Sequence, residues 1–195
     1  MYRNIAYRAR PSTGERMHAD DPNHVALSPR LLHINKQVRN EATGILYSHT
    51  FDFADTEALA NFLTMIGPSN RQRLRTLRLY GGWCGGTSTS LRNQKAMMAL
   101  TGVTDLECFR SVCRLDHVVV PPEDLTHTFY RQAHFFLDVF GQAKGKRGAA
   151  LNITRFSDEN FDVASHWNHR PEKIPKTSEE HKARFHRELR RLLNS

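Results

Sequence analysis

Residues 31–79, LLHINKQVRNEATGILYSHTFDFADTEALANFLTMIGPSNRQRLRTLRL, set a helix, a strand, a helix and a strand in succession, and that order decides the fold. The first helix is predicted over 29–47. Ser28 can cap its free N–H groups, and Pro29 falls in the first turn, where a missing donor costs nothing. Leu31, Ile34, Val38, Ala42 and Ile45 recur at a three-to-four spacing and predict one buried stripe, with Asn35, Arg39 and Glu41 on or beside it. A partly buried arginine needs carboxylate or carbonyl partners, so these three polar residues read as a structural network stapling the helix to the sheet. Residues 49–53 alternate, which places Phe51 and Phe53 on one face of a strand. Asp55 is a cap for a second helix over 55–66 with Leu59, Phe62, Leu63 and Ile66 inward. Gly67-Pro68 ends it. After a helical turn at 69–72, Leu74, Leu77 and Leu79 predict a strand over 76–80.

The same pattern recurs downstream. A helix over 91–100 and a turn at 105–111 lead into Val112, Leu115, Val118 and Val120, read as a third strand over 115–120. Two such units resemble leucine-rich-repeat geometry, in which strand and helix stack on their neighbours. Between them GGWCGGTSTS (81–90) reads as a loop. Leu125, Phe129, Ala133, Phe136, Leu137 and Phe140 form the strongest helical stripe, over 123–143, and after the GKRG turn Ala149–Ile153 reads as a short strand. Thr177-Ser178-Glu179-Glu180 has the spacing of a capping box and opens a last helix to about residue 193, with Phe185, Leu189 and Leu192 on one side. The fold class is α/β or α+β, a small and mostly parallel sheet covered by helices. Residues 1–28 read as a short helix and linker, 29–156 as the core domain, and 157–195 as a loop and a basic helix docked on it.

In a chain of 195 residues, 39% hydrophobic content suffices for one core. Mean hydropathy is −0.58, and no apolar run approaches the roughly 20 residues of a membrane span. Cys84, Cys108 and Cys113 are odd in number and lack metal-ligand spacing, which reads as free thiols in the cytoplasm or nucleus. The net charge is +8, with basic residues scattered along the whole chain and concentrated only at Lys144, Lys146, Arg147 and Arg155 and in the 170–191 tail. Nucleic acid bound through the basic C-terminal helix is thus the alternative reading, ranked second because a basic pI is more often a property of solubility than of a site.

Chemistry finds little to hold. Cys84 between glycine pairs has no nucleophile signature around it, and His166 and His169 are two imidazoles where zinc takes three or four ligands. GQAKGKRG lacks the interval and the hydroxyl of a phosphate loop and follows a helix where such a loop follows a strand. No catalytic residue, cofactor or metal is assigned.

The run from Leu31 to Leu79 resembles fungal F-box-like proteins, in which "lL-vnrqvR-EA--ilY--n-F-F" precedes "-l--Fl--iGp-nr--ir-L-l", and MYRNIAYRA (1–9) is similar to the latter part of their F-box element. The resemblance implies a non-catalytic protein–protein interaction module and no enzyme, of a kind that can recruit substrates as an adaptor. The Leu-Pro entry of the F-box is absent, so a Skp1-type adaptor is not expected to bind tightly. Contacts to a protein partner are expected at Trp83, in the 81–90 loop, and at Arg184, Arg187, Arg190 and Arg191 of the tail.

Overall fold

Each strand is reached through a helix, so successive strands enter the sheet from the same end and pair in parallel. A computed structural model describes residues 36–81, 83, 87–112, 121–161 and 177–195. In chain order they form α1 (Lys36–Ser48), β1 (Thr50–Phe53), α2 (Thr56–Arg71), β2 (Thr76–Leu79), α3 (Thr87–Leu100), β3 (Cys108–Ser111), α4 (Pro122–Ala143), α5 (Ala149–Ile153), β4 (Thr154–Phe156), a 3₁₀ turn (Asp158–Phe161) and α6 (Ser178–Asn194). The fold is α/β, with a parallel sheet in the order β1-β2-β3-β4. α2 packs on α3, α3 on α4 and α4 on α6.

Local sequence explains α2 well. The Asp55 carboxylate accepts from the Ala58 N–H at 2.7 Å, and Leu59, Phe62, Leu63 and Ile66 are all buried. Phe62 receives both strand aromatics, Phe51 at 5.0 Å and Phe53 at 5.2 Å between ring centroids. Gly67 breaks the helix with φ +76°, a conformation that a Cβ disfavours. Beyond it the chain resumes helical turns to Arg71, and side chains satisfy carbonyls on the near side of the kink. The Arg71 Nε donates to Leu63 O at 2.6 Å and the Asn70 amide to Ile66 O at 3.0 Å. At the exit of β2 the backbone passes so close to β1 that a Cβ on Gly81 would lie 2.5 Å from the Ala54 carbonyl oxygen.

The helix layer is tied laterally by a buried polar chain. Thr56 Oγ1 donates to Asn93 Oδ1 at 2.8 Å, Asn93 Nδ2 to Gln132 Oε1 at 2.8 Å, and Gln132 Nε2 to Ser90 Oγ at 3.3 Å, linking α2, α3 and α4. At the C-terminal side Phe129, Phe156, Phe161 and Phe185 meet with ring centroids 5.1 to 6.0 Å apart, joining α4, β4, the 3₁₀ turn and α6.

Several sequence expectations are corrected. The segment read as a turn at 105–111 contains β3, because Cys108–Ser111 carries one large apolar residue, Phe109, and its other inward position is the buried Ser111. The strand expected at 115–120 and the residues 29–35 of the first helix lie outside the described residues. Ala149–Ile153 is helical and the strand follows it; Thr154 Oγ1 donates back to Ala150 O at 2.8 Å, closing the last turn. Residues 87–90 belong to α3 and not to a loop. Ile45, expected in the stripe of α1, is 61% exposed, and that helix instead buries Tyr47, which stacks on Phe51. On α6 the buried edge is His181, Phe185, Leu189 and Leu193, with Leu192 only half-buried.

Phe129 contacts three other rings and is buried, while Phe135 on the same helix is 46% exposed. Phe129→Ala is expected to cost about 3–5 kcal/mol and Phe135→Ala less than about 0.5 kcal/mol. Urea denaturation of the two variants checks the contrast, and equal midpoints would remove Phe129 from the core.

Candidate functional site

Parallel register arranges the strand side chains in rows. One face carries Phe51, Leu77, Phe109 and Thr154 in register, then Phe53, Leu79, Ser111 and Phe156, and this face meets the helices in the core. The other face carries Thr50, Thr76 and Cys108, then Asp52, Arg78, Arg110 and Arg155. Three arginines therefore stand side by side on consecutive strands, about 4.8 Å apart at the backbone. Arg110 and Arg155 are exposed and Arg78 is half-buried. Among the described residues none of the three makes an ion pair or a side-chain hydrogen bond. Like charges directly opposite on neighbouring strands are unfavourable, so the row works against the fold that displays it.

At the β4 edge the row opens into a groove of about 880 Å³ between β4 and α6, whose cationic lining is Arg155, Lys182, Arg187 and Arg190, with His186 beside them. The four do not contribute equally. Lys182 is held by Asp158 at 2.8 Å, whereas Arg155, Arg187 and Arg190 have no ion pair among the described residues. His186 titrates below its usual range, chiefly because it is buried and then because Lys182 and Arg190 lie near, so it adds no charge at neutral pH.

The tail arginines expected to act together divide into two kinds. Arg184 is paired with Glu180 at 2.8 Å and Arg191 with Glu188 at 2.6 Å, while Arg187 and Arg190 face the groove. The Arg191 guanidinium, hydrogen-bonded to Glu188, holds that carboxyl below the usual range. Trp83, expected on a presented loop, is instead 4% exposed and packs on Phe129 at 4.9 Å; its Nε1 has no hydrogen-bond partner among the described residues. Of the proposed structural network, Asn35 and the Arg39 side chain lie outside the described residues, and Glu41 is exposed on α1. Cys84, Cys113, His166 and His169 also lie outside them. Cys108 is a half-buried free thiol in the outward row of threonines. Among the described residues no three His, Cys, Asp or Glu side chains converge as metal ligands, and no helix is long and apolar enough to cross a membrane.

Sequence reasoning missed Arg78 and Arg110 and counted Arg155 only as part of a basic stretch. The available signal was the triplets Leu77-Arg78-Leu79, Phe109-Arg110-Ser111 and Thr154-Arg155-Phe156, each an arginine between two inward residues. No family model matches the chain, and neither does any curated protein or solved structure.

One buried titratable group lies on the inward edge of α6. His181 is 3% exposed, stands 5.6 Å from the Phe161 ring, and has no hydrogen-bond partner on either ring nitrogen among the described residues. Burial lowers its pKa from 6.5; Arg184 lowers it further and Glu123 of α4 opposes both. The unfolded chain takes up this proton near pH 6.5 and the folded chain only at lower pH, so the unfolded state binds more protons between the two values. Stability is accordingly complete above that interval and falls as the pH falls through it, with His186 acting in the same direction. The urea midpoint should be level above about pH 7 and decline toward about pH 5, and His181→Leu should flatten the decline. A native chain with no such decline would contradict this account of the α6 contact.

Proposed function

We propose that the chain is a non-catalytic protein-interaction module, a leucine-rich-repeat-like stack of strand–helix units of the fungal F-box-like type, whose outward sheet face is the contact surface. The observation supporting this reading is the one-sided chemistry of the sheet. Leucine and phenylalanine dominate the side toward the helices, while every described outward position is Thr, Asp, Arg or Cys. In stacked-repeat folds such a strand face is an extended surface for a partner, and its shape comes from the small rotation between units. Recruitment of a substrate as an adaptor is compatible with it. A tight Skp1-type complex is not part of the proposal.

Nucleic acid held by the C-terminal helix is the weaker reading, because Glu180 and Glu188 already engage two of its four arginines. A photo-crosslinking residue placed at Thr76, on the outward face of β2, and at Met65, 57% exposed on α2, tests the module directly in fungal extract. Protein adducts that survive nuclease are expected at Thr76 and not at Met65. Equal adducts at both positions, or adducts at Thr76 that disappear with nuclease, would overturn it.

A further inference from the structure

The geometry points to an extended acidic peptide segment as the partner of the open face, its carboxylates laid across Arg78, Arg110 and Arg155 and continuing over the β4 edge to Arg187 and Arg190. This rests on the interaction-module reading and adds the chemistry of what is bound. Three guanidinium groups on adjacent strands span about 10 Å at the backbone, and an extended peptide presents same-side residues about 6.8 Å apart. Two or three carboxylates thus fall within reach of the row when a peptide crosses the strands. Guanidinium forks match carboxylates in a bidentate way that lysine cannot reproduce, and all three row positions are arginine. None of the three has an ion pair among the described residues; Asp52 stands in register beside Arg78 at one end of the row, and an anion from outside would relieve the repulsion between Arg110 and its two neighbours.

The same face argues against a nucleic-acid strand. Its described outward strand positions, Thr50, Asp52, Thr76, Arg78, Cys108, Arg110 and Arg155, include no aromatic ring, and Tyr80, 39% exposed one residue past β2, is a single ring where affinity for single strands draws on the stacking of successive bases. Asp52 ends the row with the opposite sign, which opposes a uniform polyanion passing over the whole sheet and suits a short acidic segment that stops at β2.

Fluorescence anisotropy with the full chain and a labelled peptide of alternating glutamate and serine tests the proposal, with the glutamine–serine peptide and an oligouridylate of equal length as comparisons. The acidic peptide should bind, weaken as salt is raised, and exceed both comparisons. Arg110→Gln should raise its Kd roughly tenfold, and the triple variant R78Q/R110Q/R155Q should abolish binding. R187Q/R190Q should weaken it less, and Arg92→Gln, on the helix side and paired with Glu57, should leave it unchanged. Because the triple variant removes repulsion, it should melt no lower than the native chain, which separates lost binding from lost folding. Binding unaffected by the triple variant, or tighter binding of the oligouridylate through the same arginines, would overturn the proposal. No peptide binding while Thr76 still captures protein would sink the acidic chemistry and leave the module standing; loss of both would sink both.

Discussion

The register of the parallel ladder is the constraint on which the rest of the structure depends. Side chains alternate along a strand, so a slip of one residue would turn Arg78, Arg110 or Arg155 into the core and bring Leu77, Phe109 or Phe156 out. Strands of three or four residues have little ladder of their own to resist this, and the register is held at their ends. Tyr80 N donates to Phe53 O at 2.9 Å, Val112 N to Leu79 O at 2.8 Å, and Ser157 N to Ser111 O at 3.1 Å, so each strand is fastened to the one before it just past its last residue. At the opposite end of β2 and β3, Arg75 donates to Asp105 O at 3.0 Å and lies 3.6 Å from the Glu107 carboxylate, while its own carbonyl accepts from Glu107 and Cys108.

Helices then fix where the strands can lie. The Thr56–Asn93–Gln132–Ser90 chain is specific in a way that hydrophobic contact is not, because each buried polar atom is satisfied only at one relative height of α2, α3 and α4. The phenylalanine cluster has the corresponding role for α6. Phe185 reaches Phe129, Phe156 and Phe161, so the helix that lines the groove is anchored on the strand that forms its opposite wall. His181 belongs to the same contact through the Phe161 ring.

How much of this was legible in the sequence depended on how many residues carried each signal. α2 and α4 were legible because four and six apolar residues repeated at helical spacing, and Gly67-Pro68 marked a break that the backbone confirms with a positive φ. β3 and β4 were not, since three- and four-residue strands that use Ser111 and Thr154 inward offer no apolar alternation to count. AALNI illustrates the general ambiguity of short apolar runs, which fit a helix turn as readily as a strand. The outward arginine row was hidden for a different reason. Its members are remote in the chain and share no spacing, and only the strand register makes them neighbours, whereas the C-terminal arginines cluster in sequence yet are partly neutralised by Glu180 and Glu188.

That contrast changes what the net charge of +8 means. Read from composition, it is a diffuse property, and scattered surface cations are largely screened beyond about 8–10 Å at ordinary ionic strength. In the fold, part of it becomes a line. Arg75, Arg92, Arg184 and Arg191 have carboxylates within 4.0 Å, while Arg78, Arg110 and Arg155, with Arg110 closer to each of its two neighbours than a screening length, have none among the described residues. Charges that close act on a single approaching group together, so a ligand anion over Arg110 also feels its two neighbours, only partly screened. Like charges in register are unfavourable, yet the sheet keeps three guanidinium groups at the same height on consecutive strands, and an anion laid on that face would relieve their repulsion.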